Sequence, residues 1–356
     1  MDEIEELLKK AREKLKSKKL IEALGLYNEV IKKDENNFSA NYDLGIIYLI
    51  LKDYELAARY FEIALALNPK NKDADRYFTL TKGRIRKQFE KPMTVQIETT
   101  SLCNAKCFIC PNKDMKRKKG VMDDALFKKI VDDCKEIQPL EIYPFITGEP
   151  FMDKEIIDRI KYINKALPNT KVKIFTNGAL LNHEIIKKLL NLKIDGIVIS
   201  FNGAAKETYE KQMGLNYEKT IENVKLLSQQ DKIPLLISMV ITKDTLPEIN
   251  KFMDMWKGIN IKPYISSFKN YGGKLKIDVR LPVPEQCGRV LTQMTVLHDG
   301  RASLCCMDNE GEVILGDARE NSLMQIWNSD KAKEIRKLHM DGRKEEIMIC
   351  KDCTSA

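Results

Sequence analysis

The stretch TVQIETTSLCNAKCFIC, residues 94–110, joins a strand-like segment to three closely spaced cysteines. Its opening residues are rich in β-branched side chains and predict a strand over 94–99. Cys103, Cys107 and Cys110 follow with the spacing C-x3-C-x2-C. Because a short loop at a strand end lets three thiolates converge, this stretch predicts a metal site at the edge of a sheet.

Two kinds of metal site suit such a cysteine triplet. Structural zinc takes four ligands, and the nearest candidates for a fourth, Cys134 and His183, lie far along the chain. A [4Fe–4S] cluster held by three cysteines leaves one iron without a protein ligand, and that iron can bind a small molecule. The triplet therefore favours a catalytic cluster over a zinc knot, and we expect Cys134 to be a buried apolar residue.

Strand-like and helix-like segments alternate after residue 92. Six strands are predicted, at 94–99, 141–146, 172–176, 195–201, 235–241 and 261–266. Amphipathic helices are predicted between them, at 123–137, 153–166, 183–192, 217–230 and 246–257. This alternation predicts parallel strands with right-handed crossovers, and six units indicate a partial (β/α)6 barrel of the α/β class. Reactive groups are expected at the C-terminal ends of the strands.

Residues 92 to 356 resemble the radical S-adenosylmethionine (SAM) superfamily, whose signature is C-x3-C-x-Φ-C with Φ usually aromatic. Here Φ is Ile109, beside Phe108, which puts adenine stacking in doubt and leaves the cluster assignment intact. The resemblance implies that Cys103, Cys107 and Cys110 hold a [4Fe–4S] cluster whose fourth iron binds SAM. It further implies reductive cleavage of SAM and abstraction of a hydrogen atom from a substrate.

The same resemblance implies a set of SAM-contacting residues at the ends of later strands. Thr147-Gly148-Glu149-Pro150 resembles the family's GGEP motif, in which Gly148 and Glu149 would hold the SAM amino group. Ser200 would contact the ribose, and Asn177 and Asn202 would lie nearby. Glu149 could instead be the acidic residue of a helix start, and Asn177-Gly178 could be an ordinary turn.

A second group of cysteines lies in the tail, where Cys287-x12-Gly300-x4-Cys305 is followed by Cys350-x2-Cys353. This pattern resembles the SPASM/Twitch extension and implies one auxiliary [4Fe–4S] cluster in a small α+β domain. The implied ligands are Cys287, Cys305, Cys350 and Cys353. Cys306 is either a substitute ligand or a buried thiol. Four thiolates also suit zinc, and the SAM motif upstream is what favours iron.

The N-terminal part is predicted to be helical throughout. Residues 38–71 match a tetratricopeptide repeat through Leu44, Gly45, Tyr48, Ala57, Phe61, Ala64 and Pro69. A weaker repeat covers about 4–37, and an amphipathic stretch at 73–88 could cap the stack. Three domains are thus predicted: a repeat domain at 1–90, a radical SAM core at 91–275 and an auxiliary-cluster domain at 276–356.

Composition and charge argue against membrane, disulfide-rich and nucleic-acid-binding classes of protein. The 356 residues carry a formal charge of +8, nine cysteines, no apolar leader and no long apolar run, which predicts a cytoplasmic protein without a disulfide framework or a membrane partner. The basic run Lys116-Arg117-Lys118-Lys119 is one short loop, too little for a nucleic-acid site. It could attract an acidic electron donor such as flavodoxin or ferredoxin. No catalytic acid or base is nominated, and His183, His298 and His339 are given structural or surface roles.

Three functions remain open at this point. The favoured one is a radical SAM enzyme acting on a peptide or protein, since helical repeats offer a groove for an extended chain. The second is a Twitch-type dehydrogenase of a small polyol or aminocyclitol, a small-molecule substrate that a single auxiliary cluster would suit. The third is a non-catalytic zinc-binding adaptor with tetratricopeptide repeats.

Overall fold

The structure is a computed structural model that describes residues 3–276, 279 and 287–354. It divides into two compact units, Met1–Glu90 and Lys91–Ala356. The predicted boundary between 275 and 276 adjoins residues 277, 278 and 280–286, which lie outside the described residues.

The first unit is a stack of antiparallel helices. Asn37 and Asp53 cap the third and fourth helices by accepting backbone N–H groups. Gly45 lets these two helices approach closely, because a Cβ there would lie 2.7 Å from the Phe61 ring. From residue 3 onward, where the description of this unit begins, the helices are α1 (Glu3–Lys16), α2 (Leu20–Lys33), α3 (Phe38–Ile50), α4 (Tyr54–Leu67) and α5 (Lys72–Gln88). The predicted helical N-terminal region is therefore confirmed, and the stretch at 73–88 forms α5.

The described residues of the second unit form one nine-stranded sheet. Its strands are β1 (Thr94–Ile97), β2 (Glu141–Tyr143), β3 (Lys171–Thr176), β4 (Gly196–Ser200), β5 (Leu235–Val240), β6 (Lys262–Ser266), β7 (Gln293–Val296), β8 (Arg301–Ser303) and β9 (Ile314–Asp317). The strand order is β6-β5-β4-β3-β2-β1-β7-β8-β9. Neighbouring strands from β6 to β7 are parallel, whereas β8 is antiparallel to both β7 and β9. The six-strand α/β prediction is confirmed.

Helices connect the parallel strands and pack apolar side chains against the sheet. The helices between these strands are α6 (Asp124–Ile137), α7 (Ile156–Ala166), α8 (His183–Leu189), α9 (Lys206–Met213), α10 (Tyr217–Ser228), α11 (Ile249–Met255) and α12 (Gly288–Thr292). After β9 come α13 (Leu323–Trp327), α14 (Asp330–Met340) and α15 (Met348–Lys351). The sequence did not predict α9, whose eight residues are mostly polar.

The tail differs from the prediction in one respect, because its strand β7 continues the main sheet. Residues Thr94 to Ile97 of β1 pair in parallel register with Gln293 to Val296 of β7. A small apolar cluster then forms beyond the sheet around Cys287, Cys305 and Cys350. The tail therefore shares the sheet of the second unit and adds a separate cysteine-rich core. Among the described residues, no helix is long and apolar enough to cross a membrane.

Candidate functional site

Cys103, Cys107 and Cys110 lie in the loop that follows β1, at the C-terminal end of the parallel strands. Burial raises the pKa of the Cys103 thiol to about 11, and it also raises the pKa of Cys107 and Cys110. Cys110 raises the pKa of both Cys103 and Cys107 electrostatically, as two thiolates do when they lie close together. The structure therefore brings the predicted triplet together in one partly buried loop.

These thiols fit a cluster. Burial in this loop disfavours a thiolate that has no counter-charge. A bound metal ion supplies positive charge and therefore stabilises the thiolate form. Within the described residues, no three His, Cys, Asp or Glu side chains are placed to hold one metal ion. A four-iron cluster asks for a wider arrangement, because each cysteine binds a different iron.

The short helix α9 supports the cysteine loop through its last residues. Lys106 N–H donates to the Met213 carbonyl at 3.1 Å, and Phe108 N–H donates to the Gln212 carbonyl at 2.8 Å. The sulfur atoms of Cys107 and Met213 lie 3.7 Å apart. Asn202 Nδ2 donates to Met213 Sδ at 3.0 Å. Asn202, predicted to lie near SAM, therefore reaches the triplet through a methionine.

Glu149 is almost fully buried where the second strand gives way to a short 3-10 turn, Pro150–Met152. Its carboxylate accepts the Thr176 hydroxyl at 2.7 Å and the Asn177 N–H at 2.8 Å. It also accepts Phe151 N–H at 3.3 Å, so the alternative role at a helix start is present too. Burial raises the pKa of Glu149 to about 7 against these hydrogen bonds. A carboxylate has about four acceptor positions, which leaves room for one further donor.

Gly148 lies against the cysteine loop backbone. A Cβ at Gly148 would lie 2.1 Å from the Thr100 carbonyl oxygen and 2.8 Å from that of Leu102. Glu149 N–H donates to the same Leu102 carbonyl at 2.8 Å. Only glycine permits this approach, which brings the Gly148-Glu149 turn beside Cys103.

Asn177 directly follows β3 and Ser200 is the last residue of β4, so both lie at the C-terminal edge of the parallel strands. Asn177 Nδ2 donates to Asn104 Oδ1 at 2.8 Å, which joins it to the residue after Cys103. Ser200 pairs with Ser238 of β5 and is partly exposed. Of the five predicted SAM residues, Gly148, Glu149 and Asn177 thus adjoin the cysteine loop directly. Asn202 reaches it through Met213, and Ser200 lies at the end of its strand.

A buried ionic network beside the loop was not predicted. Glu98 is fully buried, and Arg117 contacts it at 2.5 Å with a side chain only 6% exposed. Glu98 also accepts the Thr147 hydroxyl and both the backbone N–H and the ring of His298. Burial raises the Glu98 pKa, but the hydrogen bonds from His298, Arg117 and Thr147 outweigh it and lower the pKa to about 2. The sequence offered one indication of this network, which is the acidic residue Glu98 within the predicted strand 94–99.

Arg117 also joins the cysteine loop to the tail. Its Nε donates to the Asn309 carbonyl at 2.5 Å, and Glu310 accepts the backbone N–H groups of Lys116 and Arg117 at 2.9 Å each. The predicted basic run is therefore not one solvated patch. Lys116 and Lys118 are exposed, whereas Arg117 is part of the interior.

The four predicted auxiliary ligands, Cys287, Cys305, Cys350 and Cys353, line one small cavity. Burial raises the pKa of Cys305 and Cys350, and neighbouring cysteines raise it further. The thiol of Cys306 interacts with Arg289, which opposes the rise that burial causes in its pKa. The donor set fits a four-cysteine cluster site.

Tyr271 lies between the two groups of cysteines. Its hydroxyl interacts with the Cys110 thiol and opposes the rise that burial causes in the pKa of Cys110. The pKa of Tyr271 itself is raised by burial and by the nearby thiols of Cys110 and Cys306. Tyr271 also packs against the apolar cluster that contains the auxiliary cysteines. The backbone of Tyr271 is left-handed, with a φ of 50°. The turn packs closely against α15, because a Cβ at Gly272 would lie 2.3 Å from Ile349. Sequence reasoning missed this residue.

Three family profiles match the chain. One described as the radical SAM superfamily matches residues 97–255, and one described as an iron–sulfur cluster-binding domain (SPASM) matches 287–354. A tetratricopeptide repeat profile matches 38–71. These matches favour the enzyme over the zinc-binding adaptor.

Similar proteins act on more than one class of substrate. An S-adenosyl-L-methionine-dependent 2-deoxy-scyllo-inosamine dehydrogenase of Niallia circulans is 24% identical over 73% of this chain and 92% of its own. A PqqA peptide cyclase of Granulibacter bethesdensis is 25% identical over 55% of this chain, and the match covers 53% of the cyclase. The structure of Streptococcus suis SuiB bound to precursor peptide SuiA matches with a TM-score of 0.61 and 17% identity, over 82% of this chain and 80% of SuiB.

Proposed function

Because this chain is a radical SAM enzyme with a C-terminal iron–sulfur cluster-binding domain, we propose that it oxidatively modifies a peptide or protein. In this proposal residues 91–275 bind the first cluster and SAM, and residues 276–356 bind the auxiliary cluster. The supporting observation is Tyr271, whose hydroxyl interacts with Cys110 and whose ring packs against the auxiliary cysteine core. Two adjacent metal sites suit a reaction in which one starts the oxidation and the other accepts an electron.

The protein's own residues would bind and orient the cofactor. When bound, a reduced [4Fe–4S] cluster and SAM supply the homolytic chemistry that removes a hydrogen atom from substrate. Cys103, Cys107 and Cys110 would hold three irons. The Glu149 carboxylate, already fixed by Thr176 and Asn177, has an acceptor position left for the SAM amino group. Ser200, Asn177 and Asn202 would surround the rest of the cofactor.

The peptide substrate rests on the first unit and on the structural likeness. Residues 1–90 form a helical repeat unit, an architecture that binds extended chains, and the chain resembles SuiB, whose structure holds a precursor peptide. A second candidate, oxidation of a small polyol or aminocyclitol, is supported by the dehydrogenase of Niallia circulans, 92% of which is matched.

Deuterium transfer separates the two substrates. The reconstituted enzyme is incubated with SAM and dithionite together with deuterated peptides, or with deuterated 2-deoxy-scyllo-inosamine, and 5′-deoxyadenosine is analysed by mass spectrometry. The proposal expects label from the peptides, and transfer should fall in a variant that lacks residues 1–90 and still cleaves SAM. Label arriving from the aminocyclitol alone would contradict the peptide assignment.

We also propose that Lys116 and Lys118 attract an acidic electron donor of the flavodoxin or ferredoxin class. Both are exposed beside the cysteine loop, and complementary charge speeds encounter. Lys116→Ala with Lys118→Ala should slow reduction of the first cluster by flavodoxin and leave reduction by dithionite unchanged. Equal slowing with both reductants would contradict this role.

A further inference from the structure

His339 is a buried histidine in the wall of the auxiliary cysteine cavity. It lies on α14 with 1% of its surface exposed, and it lines the same cavity as Cys287, Cys305, Cys350 and Cys353. Among the described residues, neither ring nitrogen has a hydrogen-bond partner. A buried donor without a partner costs about 1–3 kcal/mol, so such a group in a native core calls for an explanation.

The chemistry of the ring matches the chemistry of the cavity. Burial and the charge of Lys344 lower the pKa of His339 to about 4, so near pH 7 the imidazole is neutral and carries one N–H donor. Four of the groups that line the cavity with His339 are thiols, which become thiolates when they bind metal, whereas Arg289 and Lys344 in the same lining are donors without an acceptor position. Thiolates and cluster sulfides accept hydrogen bonds, and they are the acceptors that the cavity would offer.

We propose that His339 donates a hydrogen bond to a sulfur of the auxiliary cluster and thereby raises its reduction potential. The inference rests on the proposed function, because it takes the four cysteines as the cluster ligands. Hydrogen bonds to sulfur tune cluster potentials, and a donor stabilises the reduced form, which is the more negative one. Four cysteines already complete the ligation of a four-iron cluster, so His339 is a positioning residue that ligates no iron.

If His339 donates this hydrogen bond, its replacement by a residue without an N–H donor should lower the reduction potential of the auxiliary cluster without loss of iron. In the full chain, Cys103, Cys107 and Cys110 are replaced by Ala so that only the auxiliary cluster remains. His339→Leu removes the donor at similar size, and His339→Gln keeps an N–H donor. His183→Leu is the matched control, since His183 is exposed at the start of α8.

The readouts are iron content and the midpoint potential, measured by anaerobic redox titration followed with electron paramagnetic resonance. We expect about four irons per chain in every variant. The potential should be more negative in the leucine variant, and near the parent value in the glutamine and His183 variants. An unchanged potential in the leucine variant would overturn the inference. So would loss of iron confined to the His339 variants, because that result would make His339 a ligand. Absence of iron from the parent triple variant would contradict the auxiliary cluster itself, and the inference with it.

Discussion

Replacement of Arg117 by Ala should destabilise the second unit strongly, because it leaves Glu98 as a buried carboxylate without its main counter-charge. Glu98 is fully buried and the Arg117 side chain is 6% exposed. Removal of one partner from a buried ion pair typically costs about 3–5 kcal/mol. At roughly 2–4 °C per kcal/mol for a domain of this size, the melting temperature should fall by roughly 6–20 °C.

The control is the next residue, Lys118, which is exposed. A surface substitution such as Lys118→Ala usually changes stability by less than about 0.5 kcal/mol. Anaerobic thermal unfolding can be followed by tryptophan fluorescence. Both tryptophans of the chain, Trp256 and Trp327, are buried in the second unit, so the signal comes from that unit alone.

The double variant Glu98→Gln with Arg117→Met tests the cause. Because it removes both charges together, it should lose less stability than Arg117→Ala alone. If Arg117→Ala melts within a degree or so of Lys118→Ala, the reasoning about a buried pair is wrong.

Three further predictions concern the cluster loop. Tyr271→Phe removes the hydroxyl that interacts with Cys110, so the potential of the first cluster should become more negative in a redox titration. An unchanged potential would mean that this hydroxyl donates no hydrogen bond to the loaded cluster. Gly148→Ala should prevent SAM binding and weaken cluster loading, because the alanine Cβ has no room beside the cysteine loop. Gly196→Ala is the control and should be tolerated, because the nearest atoms to a Cβ there lie at 3.8 Å. Iron assay and equilibrium dialysis compare the two variants, and equal iron content and SAM binding would refute the steric argument. Burial raises the pKa of Glu149 to about 7, so its carboxylate is progressively protonated below that pH and SAM affinity should fall by up to roughly tenfold per unit of pH. The Glu149→Gln variant should bind SAM weakly, and its affinity should depend less on pH. An equally steep dependence of affinity on pH in that variant would exclude Glu149 as the titrating group.

Local sequence patterns were enough for the fold and for the first cysteine group. Cys103, Cys107 and Cys110 lie within one stretch of eight residues that closely follows a strand, so both the loop and its position at the strand end could be predicted. Strand–helix alternation likewise predicted β1 to β6.

Features that depend on tertiary contacts escaped prediction. Glu98 and His298 are 200 positions apart in sequence, and nothing local indicates that they meet. The basic run was expected to act as a whole on an electron donor, because charge alone does not show that Arg117 turns inward to Glu98. Helix α9 was missed because its residues are mostly polar, although Met213 at its end contacts Cys107. His339 gave no sequence signal, because its meaning comes from the cysteines that fold around it.

In the proposed function, the three cysteines that follow β1 leave one iron available to SAM. The decisive experiment is anaerobic reconstitution with iron and sulfide, followed by addition of SAM and dithionite and measurement of 5′-deoxyadenosine. We expect the wild-type protein to absorb at about 400 nm and to form 5′-deoxyadenosine. Cys107→Ala should form none while it retains the auxiliary cluster. A fully loaded wild-type protein that leaves SAM intact would contradict the account.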